Sequence, residues 1–482
     1  MTITLTPHAA PAPPARRLSP AARWLVVAAP LLLLLLTPPA DLTAAEWRLC
    51  AIFAATMLGL MVQPLPGGAM VLLGVTATAL VGSQTPAQAL AGYGDPIVWL
   101  VLAAFFLARG MLKTGLGRRI ALGFIRLLGG TSLGLSYSLV LTDGLLATTI
   151  PSNLSRLGGI VFPITRSIAE SYDSAPGETA RRLGAFLMVV VYQCGVVVCA
   201  MFLTGQASNP LIASLASSAA GVELSYGRWA LGALVPGLAT LMILPALLHR
   251  LFPPEVTRTP GAQRMAAEKL AEAGPMSGAE RMMLAVFGAA VLLWLTSAFH
   301  PVHYAVVAMS AVGLLLLSRV LEWEDLTHER AAWDVFIWYG GLVQLARALS
   351  ETGITQWFAT VAAGWTAGWQ WPAALALLAL TYFYAHYAFA SITAHATAMY
   401  VPFLVVVLAA GAPLMPAVLL LAYLSNLCAG LTHYGTTPAP IYFGAGYVDQ
   451  ATWWRLGLLS SFVTIPIFAF IGLLWWRVLG WW

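Results

Sequence analysis

Two short polar interruptions inside long apolar runs constrain this chain more than any other feature. Residues 151 to 163 read Pro151-Ser-Asn-Leu-Ser-Arg-Leu-Gly-Gly-Ile-Val-Phe-Pro163, and residues 390 to 402 read Ala390-Ser-Ile-Thr-Ala-His-Ala-Thr-Ala-Met-Tyr-Val-Pro402. They align without a gap, Ser152 on Ser391, Arg156 on His395 and Pro163 on Pro402. Upstream, Leu107-Ala108-Arg109 with Thr114-Gly115 recurs as Leu345-Ala346-Arg347 with Thr352-Gly353, at an offset of 238 against 239 for the polar patches. A nearly constant offset over more than fifty residues indicates an internal duplication. Duplications in hydrophobic chains are characteristic of transporters, which place the substrate where two repeats meet, at interrupted helices near the midplane.

Composition supports a polytopic membrane protein: 60% of the 482 residues are hydrophobic and 9% charged, where a soluble domain carries about 25% charged residues. The net charge of +5 comes from basic residues beside apolar spans, without a basic run. The positive-inside rule accounts for them and no nucleic-acid partner is implied. Cys50, Cys194, Cys199 and Cys428 sit in apolar runs without the paired spacing of a zinc site or a disulfide framework, so they read as small core residues. There is no His-Glu-x-x-His and no Gly-Lys-Ser/Thr phosphate loop, and the only lysines are Lys113 and Lys269. No enzyme activity, cofactor or metal is expected.

The segment Trp24 to Leu36 after Arg16, Arg17 and Arg23 has the charge and length of a signal-peptide core. Pro38-Pro39 and the lack of a small-x-small cleavage site favour a first membrane helix or signal anchor. The organisation read from the chain is a disordered cytoplasmic tail over 1–23, scaffold helices over 24–95, a first repeat over 96–252, a cytoplasmic linker over 253–281, scaffold helices over 282–332 and a second repeat over 333–482. The basic, amphipathic stretch with Lys113, Arg118, Arg119 and Arg126 continues the fourth span along the cytoplasmic interface. A hairpin over 131–170 is flanked by Arg126, Arg166, Arg181 and Arg182, whereas one over 372–410 has no Lys or Arg at either end. The first therefore opens to the cytoplasm and the second to the outside, so the repeats are inverted, with the N-terminus cytoplasmic and the C-terminus periplasmic.

Two further polar breaks, Thr204 to Pro210 and His433 to Pro440, are expected to meet the hairpin tips. Broken helices aim backbone N–H groups and the positive ends of half-helix dipoles at a common cavity, which suits carboxylates. The candidate anion ligands are Ser152, Asn153, Ser391 and Thr393 at the tips, Thr204, Ser208 and Asn209 in the first break, and Gly435, Thr436 and Thr437 in the second. Packing of neighbouring helices is the competing role for such groups, and the aligned twin weighs against it. Arg156 and His395 are functional candidates because a charge at membrane depth is costly, and Arg156 is expected to be unpaired. Arg109, Arg166 and Arg347 read as snorkelling arginines. His386, His433 and Asn426 are secondary, the last because Ser425-Asn426 copies Ser152-Asn153 but falls in the helix before the break.

Pro151-Ser-Asn-x-x-Arg-x-Gly-Gly, Tyr384-Ala-His-Tyr-x-x-Ala-Ser-x-Thr-Ala-His395 and Ser425-Asn-Leu-x-x-Gly-Leu-Thr-His-Tyr-Gly-Thr-x-Pro-Ala-Pro440 resemble the divalent anion:sodium symporter family. Within it they are similar to the citrate/succinate, tartrate/succinate and plastidic 2-oxoglutarate/malate exchangers. The resemblance implies an all-α polytopic membrane protein of about eleven transmembrane helices plus two re-entrant hairpins, a homodimer in the bacterial inner membrane working as an elevator. It also implies exchange of di- or tricarboxylates. The family's Ser-Asn-Thr signature maps onto Ser152-Asn153-Leu154 and Ser391-Ile392-Thr393, so the first tip lacks the threonine and the second the asparagine. In sodium-coupled relatives cations sit between the tips and the unwound loops; Arg156 and His395 fall in that neighbourhood, which implies sodium-independent antiport. Sodium-coupled symport and an anion channel are the rival readings.

Overall fold

The structure, a computed structural model, describes residues 19–39, 42–297, 299–352, 354–366 and 368–482. Among them the only extended pairing is an isolated bridge between Thr131 and Arg258; the remaining regular structure is helical. A chain this apolar must satisfy its backbone donors and acceptors within itself, and helices do so segment by segment. Eight of the described helices are long and apolar enough to cross a membrane, and four shorter apolar helices accompany them. The tail expected over residues 1–23 lies outside the described residues up to residue 18. Its last part is corrected: Ser19 caps a helix that begins at Pro20.

Gly115 adopts φ 75 and ends the helix Pro96–Thr114 in a left-handed cap. The amphipathic Leu116–Leu128 is thus a separate helix and not a continuation of the span. The linker is also more structured than its hydrophilic sequence suggests, because its helix Pro260–Glu272 packs on Leu116–Leu128. Ser132 N donates to Thr257 O at 3.0 Å, and Thr259 N and Oγ1 donate to Gly130 O and Gly129 O at 2.9 and 2.8 Å. Linker and first hairpin mouth therefore lie together at one end of the molecule.

Both hairpins form as helix, break, helix. The first runs Ser132–Ala147, turns at residues 148–153, and returns through a π-helical stretch Leu154–Val161 into Phe162–Ser171. The second runs Trp371–Tyr384, a 3-10 turn Ala385–Ala388 and Ile392–Ala409. Each is followed by an interrupted span: Gly184–Met201, a 3-10 turn Leu203–Gly205 and Ser208–Ala220 in the first repeat. In the second repeat Leu414–Leu427, a 3-10 turn Cys428–Leu431 and Ala439–Gly444 take the same order. Every residue of Gly184–Met201 is buried, and this helix packs on both Ser132–Ala147 and Leu414–Leu427, forming the centre of the molecule. The ring of Trp482 meets that of Trp371 edge-on at 5.9 Å, so the chain ends beside the second hairpin's mouth.

The repeat-related arginines are half-exposed and each is paired with an acid. Arg347 contacts Asp95 at 2.6 Å, and Asp325 receives Lys113 at 2.5 Å and Arg109 at 3.5 Å. The arginine of each repeat's first helix is thus paired with an acid in or beside the other half of the chain. Arg166 is likewise paired, with Glu170 at 2.8 Å on the exposed surface.

Candidate functional site

A cavity of about 350 Å³ lies where the two tips and the two unwound loops meet. Its wall includes Ser152 and Asn153 from the first tip, Ser391 and Thr393 from the second, Gln206 and Ser208 from the first loop, and Thr436 and Thr437 from the second. The rest of the wall carries Leu60, Gln63, Phe105, Asp334 and Trp338. Among the described residues, no Lys, Arg or His lines it.

Asn153 holds the tip in place. Its amide Nδ2 donates to Gln206 Oε1 at 3.1 Å and to Thr436 Oγ1 at 2.9 Å, while Oδ1 accepts from Thr437 Oγ1 at 3.1 Å. One side chain therefore ties the first tip to both unwound loops, across 283 residues of sequence. Ser152 Oγ accepts from Ser155 N and Oγ at 3.1 and 2.8 Å, and Ser391 Oγ accepts from Ala394 N at 3.4 Å. Three helices begin at the cavity wall, with Asn153, Ala207 and Ser391 as their N-caps. At roughly half an elementary charge per helix N-terminus, they present about +1.5 to the cavity, against which the Asp334 carboxylate on the wall sets a negative charge. The arrangement suits a dianion held by neutral donors and helix ends.

The other candidates lie behind this wall. Thr204 donates to the carbonyls of Ala147 and Thr148 at 3.0 and 2.8 Å, fastening the first loop to the hairpin. Asn209 donates to Cys199 O and Phe202 O at 2.7 and 2.8 Å and accepts from Asn426 Nδ2 at 2.8 Å, so the two asparagines join the loops. The carbonyl of Gly435 faces His386 Nε2 at 3.0 Å. His433 Nδ1 accepts from Trp454 Nε1 at 3.0 Å, on the far side of its loop.

The expectation of an unpaired Arg156 is corrected. Its side chain is fully buried, with Nε 2.9 Å from Asp143 Oδ1 and Nη1 2.6 Å from the carbonyls of both Ile150 and Gly205. Asp143 stands thirteen residues earlier, on the outgoing arm of the hairpin. The π-helical turn puts Leu154 at the exposed side and Arg156 inward, where the arm and the loop enclose it. His395 is equally buried, 3.1 Å from His386 through their Nδ1 atoms. Neither residue lines the cavity.

The pattern of the sodium:sulfate symporter transmembrane region matches residues 19–482. The chain belongs to this family. Among curated members of the sodium:sulfate symporter family and its kin, the chain is 44% identical over 459 residues to YflS of Bacillus subtilis, whose name assigns it provisionally to malate transport, covering 95% of this chain and 96% of that protein. It is 42% identical to the chloroplastic dicarboxylate transporter 1 of Arabidopsis thaliana, covering 95% of this chain and 82% of that one. It is 32% identical to the L-tartrate/succinate antiporter of Shigella sonnei, covering 95% and 99%. The solved Alcanivorax borkumensis YdaH transporter, at 13% identity and a TM-score of 0.55 over 92% of this chain and 99% of that one, shares the fold. Symporter-family membership marks a multi-pass membrane transporter.

Sequence reasoning missed Gln206, Asp334 and Trp338. A signal for the latter two was present: Asp334-Val-Phe-Ile-Trp338 repeats Asp95-Pro-Ile-Val-Trp99 at the same offset of 239. The two copies diverge in use, since Asp95 pairs with Arg347 while Asp334 faces the cavity. Gly68 makes room for it, because a Cβ there would stand 2.8 Å from Asp334 Oδ1.

Proposed function

We propose that this protein is a secondary carrier that exchanges dicarboxylates, of the succinate, malate, 2-oxoglutarate or tartrate type, across the bacterial inner membrane without sodium. The single observation that carries the reading is the cavity with three helix N-termini, hydroxyl and amide groups and, among the described residues, no basic side chain. Ser152 and Ser208 would hold one carboxylate and Ser391, Thr393 and Thr436 the other, while Asn153 and Thr437, whose donors are spent within the wall, brace them. The relatives named for dicarboxylate transport and for tartrate/succinate antiport support the substrate class and the mode. Behind each tip a protein side chain, Arg156 or His395, takes the neighbourhood that cations take in sodium-coupled relatives. In this reading Arg156, paired with Asp143, and the neutral imidazole of His395 brace the two tips from the second layer, and neither touches substrate.

The homodimer, the inverted repeats, the cytoplasmic linker and the elevator movement of hairpins and broken spans against the scaffold belong to the same proposal. Proteoliposomes loaded with succinate or malate should take up labelled dicarboxylate far faster than empty ones, equally in sodium and in choline. Uptake into empty vesicles that rises steeply with sodium would replace this reading by sodium-coupled symport. One observation favours that alternative: Asp143 Oδ2 is buried without a protein partner, an oxygen of the type that accepts a cation. Non-saturable flux without counterflow would mark a channel.

A further inference from the structure

Behind the second tip, outside the cavity, three side chains with ligand atoms converge. His386 lies on the 3-10 turn Ala385–Ala388, His395 in the first turn of Ile392–Ala409, and Cys428 at the start of Cys428–Leu431; all three are fully buried. Their ligand atoms lie within 4.8 Å of one another. His386 Nδ1 is 3.1 Å from His395 Nδ1, which is 3.4 Å from Cys428 Sγ. Metal–nitrogen and metal–sulfur bonds of about 2.0 and 2.3 Å generate ligand–ligand edges of roughly 3.3–3.7 Å, close to these two separations.

The second shell is also in place. His386 Nε2 donates to Gly435 O at 3.0 Å, which leaves its Nδ1 lone pair turned toward His395. A backbone carbonyl commonly orients a metal-ligating imidazole in this way. Gly435 permits the approach, since a Cβ would stand 2.9 Å from His386 Nε2. A hydrogen bond between the two Nδ1 atoms is the metal-free alternative, and His395 Nε2 is buried with no protein partner in either state.

We propose that His386, His395 and Cys428 form a site for a soft monovalent metal ion, Cu(I) or its analogue Ag(I), that fastens the second hairpin to its unwound loop. The thiolate ligand selects a soft metal. Two neutral imidazoles and one thiolate carry a single negative charge, so a monovalent ion gives a neutral buried complex, whereas Zn²⁺ would leave one uncompensated positive charge at high desolvation cost. On binding, the Cys428 thiol releases its proton to solvent, the metal–sulfur bond takes its place, and no electron is transferred. The site is structural: it joins the end of one hairpin arm, the start of the other and the loop, three segments that move together in the elevator.

The test uses the purified full-length protein with Cu(I) kept reduced under anaerobic conditions against a competing colorimetric chelator. One copper per chain should be retained, with an X-ray absorption spectrum fitted by two nitrogens and one sulfur. His386→Gln and Cys428→Ala should each weaken retention at least about tenfold. No retained copper, an all-sulfur spectrum, or retention unchanged in both variants overturns the proposal. If a variant fails to fold, the spectrum of the unmodified protein decides alone. Metal retention is independent of which anion is exchanged, so its failure and that of the carrier reading are distinguishable.

Discussion

Replacing Arg156 should destabilise the protein before it alters substrate recognition. The guanidinium is fully buried against an equally buried Asp143 and supplies donors to the carbonyls of Ile150 and Gly205. Removing one member of such a pair leaves the other charge buried and uncompensated, at about 3–5 kcal/mol. Arg156→Met and Asp143→Leu should each show that loss, about 6–10 kcal/mol if the two added independently. The double replacement removes both charges and substitutes apolar side chains of similar reach, which is commonly neutral or stabilising by about 1–4 kcal/mol. Two carbonyls lose their donor in exchange, at about 1–3 kcal/mol each unless water reaches them. The double variant should then lie between about 2 kcal/mol more stable and about 6 kcal/mol less stable than the parent; the carbonyl cost falls equally on Arg156→Met and cancels from the cycle, which leaves a coupling energy of about 6 kcal/mol or more. Reversible chemical unfolding in mixed micelles, on all four proteins with and without saturating succinate, measures the cycle. If Arg156→Met unfolds as the parent does and loses only the stabilisation by succinate, Arg156 is a direct ligand and the reasoning fails.

Asn153→Ala should lower dicarboxylate affinity and, because three hydrogen bonds to two loops vanish together, also loosen the site; each bond contributes about 0.5–1.5 kcal/mol, and equal affinity by calorimetry would remove Asn153 from the site. Asp334→Asn takes a negative charge off the cavity wall and should tighten dianion binding severalfold; weaker binding would show that the carboxylate accepts a hydrogen bond from substrate. Burial opposes ionisation of Asp325, but the hydrogen bonds from Lys113 and the Glu322 backbone, with the charges of Lys113 and Arg109, outweigh it and hold its acidity below the ordinary carboxylate value. Its contribution to stability is thus fully present above the unfolded carboxylate value near 3.9 and lost as pH falls through the lower folded value; Asp325→Asn should remove that acid-side slope from the unfolding profile, and an unchanged slope would assign it elsewhere. In a cysteine-free background, single cysteines at Glu178 and Glu268 should be labelled from the cytoplasm, and those at Trp369 and Leu414 from outside; one-sided labelling of all four would contradict the inverted repeats.

Membership of a membrane-embedded helical class followed from sequence alone, because apolar runs with few charges leave the backbone no other way to bond itself. The hairpin breaks were legible too, since Pro151-Ser-Asn and Ala390-Ser-Ile-Thr interrupt those runs at matched positions, and the repeat offset placed both loops. Ser152, Asn153, Ser208, Ser391, Thr393, Thr436 and Thr437 were found from that pattern and do meet at one cavity. What the pattern could not decide was which side of each broken helix faces inward. A π-helical turn shifts the angular position of every side chain it carries, so Arg156 turned away from the cavity and onto Asp143. The partner of a buried charge is a property of three-dimensional neighbours: nothing in the spacing of Asp143, Cys199, Gly205 and Arg156 announces their contact. The same holds for Arg109 and Arg347, paired across the two halves, and for His386, His395 and Cys428, which come together only when hairpin and loop pack. Sequence determined the helices, their breaks and their polarity; tertiary packing, which alone brings distant charges into low dielectric, decided which of the polar groups face the cavity and which neutralise one another.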